Sequence, residues 1–410
     1  MEIPKLLIVG TENIFTENTS SSFTVRSLVE NWPENRLRQI VCSDSAESAD
    51  DVFVLRSSDI LFDFKMFKKK VKPSSIKRNE AHYFEKGKTT IKSFIRQRLV
   101  YLYSCRPYKF TNALREFINE FGPDVIYSCS SRFGVFMLCR RISKNNRIPF
   151  VPHFFDDWPN VSFDASGLFN RWSFKLVKQT IHQAPVVFCI SDLMCNEYKA
   201  RYSYDNFHAL MHSVNPLPKH KENESDVKTL MYAGSIYLGR YKSLVELSKA
   251  ISQRPGEKVE LYIYTTPASW NELGSEFDDY PFVHYGGYVS QEELATRISQ
   301  SDGLVFVESF DEELLVYTRL SMSTKIPEYL SSGNPILAIG NESQGSIAYL
   351  KEHNAAYVAT SEKEIPIIFN NFIDKEDYLK KEKSAQSLFE NNHLNSRQVI
   401  RFKNLLIDNL

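Results

Sequence analysis

Short apolar runs, each closed by a glycine, a proline or a polar pair, recur along the chain. Lys5–Gly10, Leu37–Cys42, Val52–Leu55, Pro123–Ser128, Ile148–Phe154 and Ala184–Asp192 form a first series, and Phe207–Val214 adds one more. Leu230–Ser235, Val259–Tyr264, Val283–Tyr285, Gly303–Val307 and Ile336–Ile339 form a second. Most are unbroken rather than alternating, which is the pattern of parallel strands covered on both faces. Between them lie stretches of helical spacing: Phe23–Val29, Phe136–Ile142, Ser243–Ser252 and a helix starting near Ser346. Thr11–Ser22 reads as a polar loop. Strand–helix alternation of this kind predicts Rossmann-like α/β units with parallel sheets.

The polar stretch Asn215–Val227 carries two prolines and interrupts the alternation, so it reads as a linker. The expected division is 1–214, linker 215–227, 228–374, and a helical tail 375–410 that crosses back to the N-terminal domain. A chain of 410 residues fits that division, because one core rarely grows past about 250–300 residues.

Composition narrows the function classes. Lys+Arg and Asp+Glu both number 50, so no global charge points to nucleic acid. The six cysteines show no metal-ligand spacing and read as reduced core thiols, the pattern of a cytoplasmic protein. The N-terminal apolar run is too short for a signal peptide, and no stretch approaches the ~20 apolar residues of a spanning helix.

The most informative stretch is Ser321 to Ala338, which reads as loop, short helix, turn and buried strand. Ser323 or Thr324 can cap the helix, Pro327 fits its first turn, and Gly333 with Asn334-Pro335 ends it. Lys325 lies at the helix N-terminus, where the macrodipole disfavours a cation unless an anion joins it. Glu328, at i+3, lies on the same side and can accept a pair of ribose hydroxyls. Phosphate grip beside ribose grip indicates a nucleotide; the plain alternative is a capped surface helix with solvated charges.

The segment Thr324-Lys325-Ile326-Pro327-Glu328-Tyr329-Leu330-Ser331-Ser332-Gly333-Asn334-Pro335-Ile336-Leu337-Ala338 resembles the donor site of GT-B glycosyltransferases. It is most similar to the retaining, family-4-type enzymes of bacterial surface polysaccharide biosynthesis. The resemblance implies two Rossmann-like domains facing across a cleft. It also implies a nucleotide-diphosphate sugar as donor substrate, with no metal and no cofactor. Glu328 stands where the family binds ribose. The family grips the diphosphate with an Arg directly after a Gly and a Lys six residues after it. Here Ser235 follows Gly234, and Arg240 stands six after it, making Arg240 the expected diphosphate cation. Gly234, Ser235, Arg240, Ser323, Thr324, Lys325 and Glu328 are thus the expected donor-binding residues. His153, Asp156 and Asp157 fall at the carboxyl end of a strand, where relatives carry similar segments facing the cleft, and are the catalytic candidates; for His153 a hydrogen-bonded structural role stands equally open. Besides Ser235 in place of that family Arg, two departures accompany the match. A family Gly-Gly pair is replaced by Asn18–Ser22, and a second motif glutamate, eight residues before Glu328, is Leu320.

The implied reaction is transfer of a sugar to a glycan or lipid-linked glycan acceptor. A sugar-nucleotide epimerase of the same fold and a non-catalytic nucleotide-sugar-binding subunit are the alternatives. Finally, Lys65 to Lys109 concentrates positive charge, with Ile91, Phe94, Ile95, Leu99 and Leu102 at helical spacing. A basic amphipathic helix suits an anionic membrane surface, so peripheral attachment at the inner leaflet is an expectation; a helix packed on its own domain is the other reading.

Overall fold

The computed structural model describes residues 2–61, 105–162, 168–218, 226–254 and 256–410. They divide into two compact units. One holds the described residues up to His212 together with Gln398–Leu410, and the other those from Ser213 to Arg397.

The first unit is a seven-stranded parallel sheet. Its strands are β1 (Leu6–Gly10), β2 (Leu37–Cys42), β3 (Val52–Leu55), β4 (Val125–Ser128), β5 (Phe150–Phe154), β6 (Val187–Cys189) and β7 (Phe207–Ala209), in the order β3-β2-β1-β4-β5-β6-β7. The order reverses between β1 and β4, where Leu6 pairs with Leu37 on one side and Val125 on the other. Leu6, Ile8, Val125, Tyr127, Val151 and Phe188 form its core.

Two local features depart from the expected pattern for chemical reasons. The first helix spans Ser20–Leu28 and so begins inside the expected polar loop. Thr19 caps it by accepting the Ser22 amide, and Ser22 returns the bond to the Thr19 backbone. A serine-rich run that looks like loop is here a reciprocal cap and a first turn. The helix expected over Phe136–Ile142 runs Phe133–Asn146 and ends on Arg147 in the left-handed conformation.

The second unit repeats the topology with six parallel strands. These are β8 (Val227–Ala233), β9 (Lys258–Tyr264), β10 (Val283–Gly287), β11 (Gly303–Val307), β12 (Ile336–Ile339) and β13 (Tyr357–Ala359), in the order β10-β9-β8-β11-β12-β13. The reversal falls between β8 and β11, where Gly303 pairs with Leu230. In open α/β sheets such a reversal opens a crevice at the strands' carboxyl ends, where ligands bind. Short β13, which was not among the expected strands, lies in the apolar run Ala355–Ala359 and pairs with β12.

The tail splits between the units. The helix Tyr378–Asn392 stays with the second, where the Tyr378 hydroxyl donates to the Gly333 carbonyl at 2.5 Å. The last helix, Asn395–Asn409, delivers Phe402 and Leu406 into the first unit's core. The Phe402 ring lies 5.4 Å from Tyr127 and 5.7 Å from Phe188.

Most of the basic stretch 65–109, with its apolar stripe, lies outside the described residues. Its end, from Cys105, is described and packs on the first unit. Tyr108 bridges to Ile60, and Lys109 Nζ donates to the Ser58 carbonyl at 2.8 Å.

Candidate active site

The residues expected to hold a donor all lie in the second unit, in the connections that leave β8 and β11. From β8 the chain passes through Gly234 and Ser235. The Tyr232 hydroxyl donates to the Ser235 carbonyl at 2.7 Å and pins this turn. Leu238 and Gly239 then both adopt left-handed backbone, φ 58° and 72°. A β-carbon at 239 would come within 2.4 Å of Ser309 Oγ, so glycine is required there for space as well as for φ. This double turn starts the helix Arg240–Ser252.

Arg240 is therefore not a loop residue, as its spacing had suggested, but the first residue of that helix. Its side chain is committed. Nε donates to Glu308 Oε2 at 2.9 Å and Nη2 to Oε1 at 3.1 Å, a bidentate pair. Glu308 follows β11 directly and is 5 % exposed. Its carbonyl accepts the Ser243 hydroxyl at 2.7 Å. Burial alone would lower the Arg240 pKa, but the Glu308 charge raises it above the ordinary value, so the guanidinium stays charged. Burial pulls the Glu308 carboxyl up, and Arg240 opposes this only in part. Nearby, Lys242 Nζ reaches Asp311 Oδ2 at 2.8 Å.

The helix Lys325–Ser332 carries the other half of the site. Thr324 is its N-cap but makes no side-chain cap bond. Ser323 does that work: its Oγ accepts the Lys325 amide at 3.3 Å, while its own amide donates to Ser346 Oγ at 3.0 Å. Lys325 Nζ and Glu328 Oε2 stand 3.8 Å apart, so the i, i+3 pair does share one face. Glu328 is 4 % exposed. Tyr329 locks the helix to the sheet: its hydroxyl donates to the Val305 carbonyl and accepts the Ala233 amide, at 3.5 and 3.3 Å. Gly333, left-handed at φ 78°, ends the helix. Gln344 Nε2 donates to the Ser309 carbonyl and to Thr318 Oγ1, at 3.1 and 3.0 Å, which ties the loop after β11 to the loop after β12. Arg240, Glu308, Lys325, Glu328 and the N-termini of two helices are thus gathered at the carboxyl ends of the strands.

The candidates in the first unit are held differently. His153, on β5, is buried, and both ring nitrogens are engaged: Nδ1 with the Tyr127 hydroxyl at 2.7 Å, Nε2 with the Leu210 carbonyl at 3.1 Å. Burial lowers its pKa to about 3, so the ring is neutral. Asp157 is buried and clamped by Arg201 through Nη1 at 2.6 Å and Nη2 at 3.0 Å, with the Tyr198 hydroxyl at 2.8 Å. These contacts make His153 and Asp157 part of the unit's internal scaffold. Asp156 is exposed just beyond β5. Among the described residues, no three His, Cys, Asp or Glu side chains cluster so as to hold a metal ion.

Comparison with known proteins agrees with this architecture. Residues 77–211 match the family Glycosyltransferase Family 4, and residues 236–393 match the family described as Glucosyltransferase 3-like, C-terminal domain. The chain is a GT-B glycosyltransferase. Solved structures share its fold at low sequence identity. HepE from Anabaena, in complex with UDP-glucose, is 11% identical with a TM-score of 0.63, covering 98% of this chain and 99% of that one. Sucrose-phosphate synthase from Thermosynechococcus elongatus is 12% identical with a TM-score of 0.66, covering 98% of each chain. WaaG, a glycosyltransferase involved in lipopolysaccharide biosynthesis, is 11% identical with a TM-score of 0.55, covering 98% of this chain and 99% of that one. Among curated proteins no sequence matches.

For a glycosyltransferase, the arrangement in the second unit supplies fixed positive charge and oriented N–H groups in one place, the means of stabilising a leaving group on which negative charge develops. Glu308 is the member of this site that the sequence pattern did not single out. Its signal was a carboxylate placed directly after an unbroken buried strand, at the end where ligands gather.

Proposed function

We propose that this glycosyltransferase moves a sugar from a nucleotide-diphosphate sugar to a glycan or lipid-linked glycan acceptor, with retention of anomeric configuration, in the assembly of a bacterial surface polysaccharide. The observation that carries the reading is the Lys325–Glu328 pair on one face of a helix N-terminus, at the sheet edge that also holds Arg240. Lys325, Arg240 and the helix N-termini take the diphosphate, and Glu328 takes the ribose hydroxyls. The UDP-glucose bound by HepE and the lipopolysaccharide role of WaaG support this choice of donor and context.

Among the described residues, no helix is long and apolar enough to cross a membrane. A lipid-linked acceptor would then be met at the inner leaflet, with the basic stretch 65–109 as the attachment. Each Lys or Arg near an anionic surface contributes about 1 kcal/mol. Salt-sensitive binding to phosphatidylserine-containing vesicles is expected, with little binding to neutral ones; equal binding to both would refute the attachment. The donor reading itself is tested by thermal shift against a panel of nucleotides, since a ligand that binds the folded state raises its melting temperature. A panel in which no nucleotide raises it would refute the reading.

A further inference from the structure

The carboxylate of Glu308 is an unexpected presence beside a site for a polyanion. Both ends of the residue are fixed, its carboxylate by Nε and Nη2 of Arg240 and its carbonyl by the Ser243 hydroxyl. The backbone is shaped to make the pair. Two successive left-handed residues, Leu238 and Gly239, turn the chain so that the helix opens on Arg240, and Gly239 packs directly against Ser309, the neighbour of Glu308. A left-handed leucine is uncommon and marks a conformation enforced by its surroundings. Glu308 uses two of the five N–H groups of the guanidinium and leaves the rest of the fork to other acceptors. A carboxylate in this place has two physical consequences: it holds the guanidinium in one orientation, and it opposes the arrival of further negative charge.

We propose that Glu308 is a positioning residue for the donor's diphosphate. It aims Arg240 and, as a standing counter-charge, limits how tightly the nucleoside diphosphate product is held, so that the product leaves after transfer. The proposal rests on the reading that Arg240 and Lys325 line the diphosphate. Glu308→Gln keeps the shape and one acceptor oxygen but removes the charge. Glu308→Asp keeps the charge but draws it back by one methylene.

Calorimetry with UDP, GDP and ADP, together with steady-state hydrolysis of the matching nucleotide sugar, tests both variants. For the diphosphate that the wild type binds, Glu308→Gln should tighten binding about tenfold, with a steeper salt dependence, the change expected when one charge at contact distance is removed from a partly solvated site. Donor KM and kcat should fall together as release slows. Glu308→Asp should lower kcat without tightening the product. A purely structural role predicts reduced thermal stability with unchanged affinity, kcat and salt slope in the folded fraction, and that result would overturn the proposal. Should Glu308→Gln not fold, Glu308→Asp decides, and an unchanged kcat overturns the proposal. A wild-type chain that binds none of the three diphosphates overturns the donor-site reading itself, whereas binding that Glu308→Gln leaves untouched overturns only the role of Glu308.

Discussion

Glu328→Gln is the sharpest perturbation of the donor site, because it should move two ligands differently. The side chain is 4 % exposed and its carboxylate stands 3.8 Å from Lys325 Nζ. At that distance two unit charges attract by about 4 kcal/mol at an effective dielectric constant of 20, and by about 1 kcal/mol in bulk water. The Lys325 side chain is 29% exposed, which places the interaction between those bounds. Glutamine keeps the volume and removes the charge. Glutamine keeps one acceptor oxygen, so a nucleotide loses one charge-assisted hydrogen bond from its ribose, a contribution of about 1.5–3 kcal/mol, and its affinity should fall by about 10- to 150-fold. Inorganic pyrophosphate has no ribose to lose, and it meets a Lys325 freed of its counter-charge. Its affinity should hold or rise. Calorimetry with a nucleoside diphosphate and with pyrophosphate, on variant and wild type, reads both effects. If nucleotide affinity is unchanged in a folded variant, Glu328 does not hold the ribose. If both ligands weaken equally, the residue acts through the helix and not through a hydroxyl.

Three further outcomes follow from the same geometry. Asp157→Asn breaks a buried bidentate pair, which usually costs about 3–5 kcal/mol; Arg201 keeps Glu197 at 3.0 Å, so the lower end is expected, read as an earlier urea midpoint by tryptophan fluorescence, and an unmoved midpoint would contradict it. His153 has a folded pKa of about 3, below its unfolded value near 6.5, so the unfolded chain binds the extra proton. Stability from this residue is complete above pH 6.5 and falls by about 1.4 kcal/mol per pH unit from there down to about pH 3; His153→Gln should flatten that slope, and an identical slope would assign it to other groups. Transfer activity should survive EDTA, because Arg240, Lys325 and the helix N-termini supply the positive field; loss on chelation with recovery on adding magnesium or manganese would reverse this.

Much of the fold was legible in the chain itself. Val52–Leu55, Gly303–Val307 and Ile336–Ile339 are strands within the bounds their unbroken apolar runs suggest, because a parallel strand covered on both faces reads as a near-continuous apolar run. The helix Lys325–Ser332 was readable from local chemistry, Pro in the first turn and Gly at the end, and its i, i+3 spacing put Lys325 and Glu328 on one face. Local cues also misled where a local motif had two solutions. The serine run before Phe23 read as loop, yet Thr19 and Ser22 close a reciprocal cap; Arg240 read as loop, yet two left-handed residues before it start the helix early.

What only the tertiary structure decided is which side chains meet. Arg240 and Glu308 are 68 residues apart in sequence and share two hydrogen bonds, because β8 and β11 become neighbours at the point where the strand order reverses. His153 and Asp157, candidates from the end of one strand, take different partners inside the first unit, Tyr127 and Leu210 for one and Arg201 and Tyr198 for the other. The period of a hydrophobic pattern fixes how a segment turns its faces; the partner of a buried charge is fixed by strand order, which no segment contains.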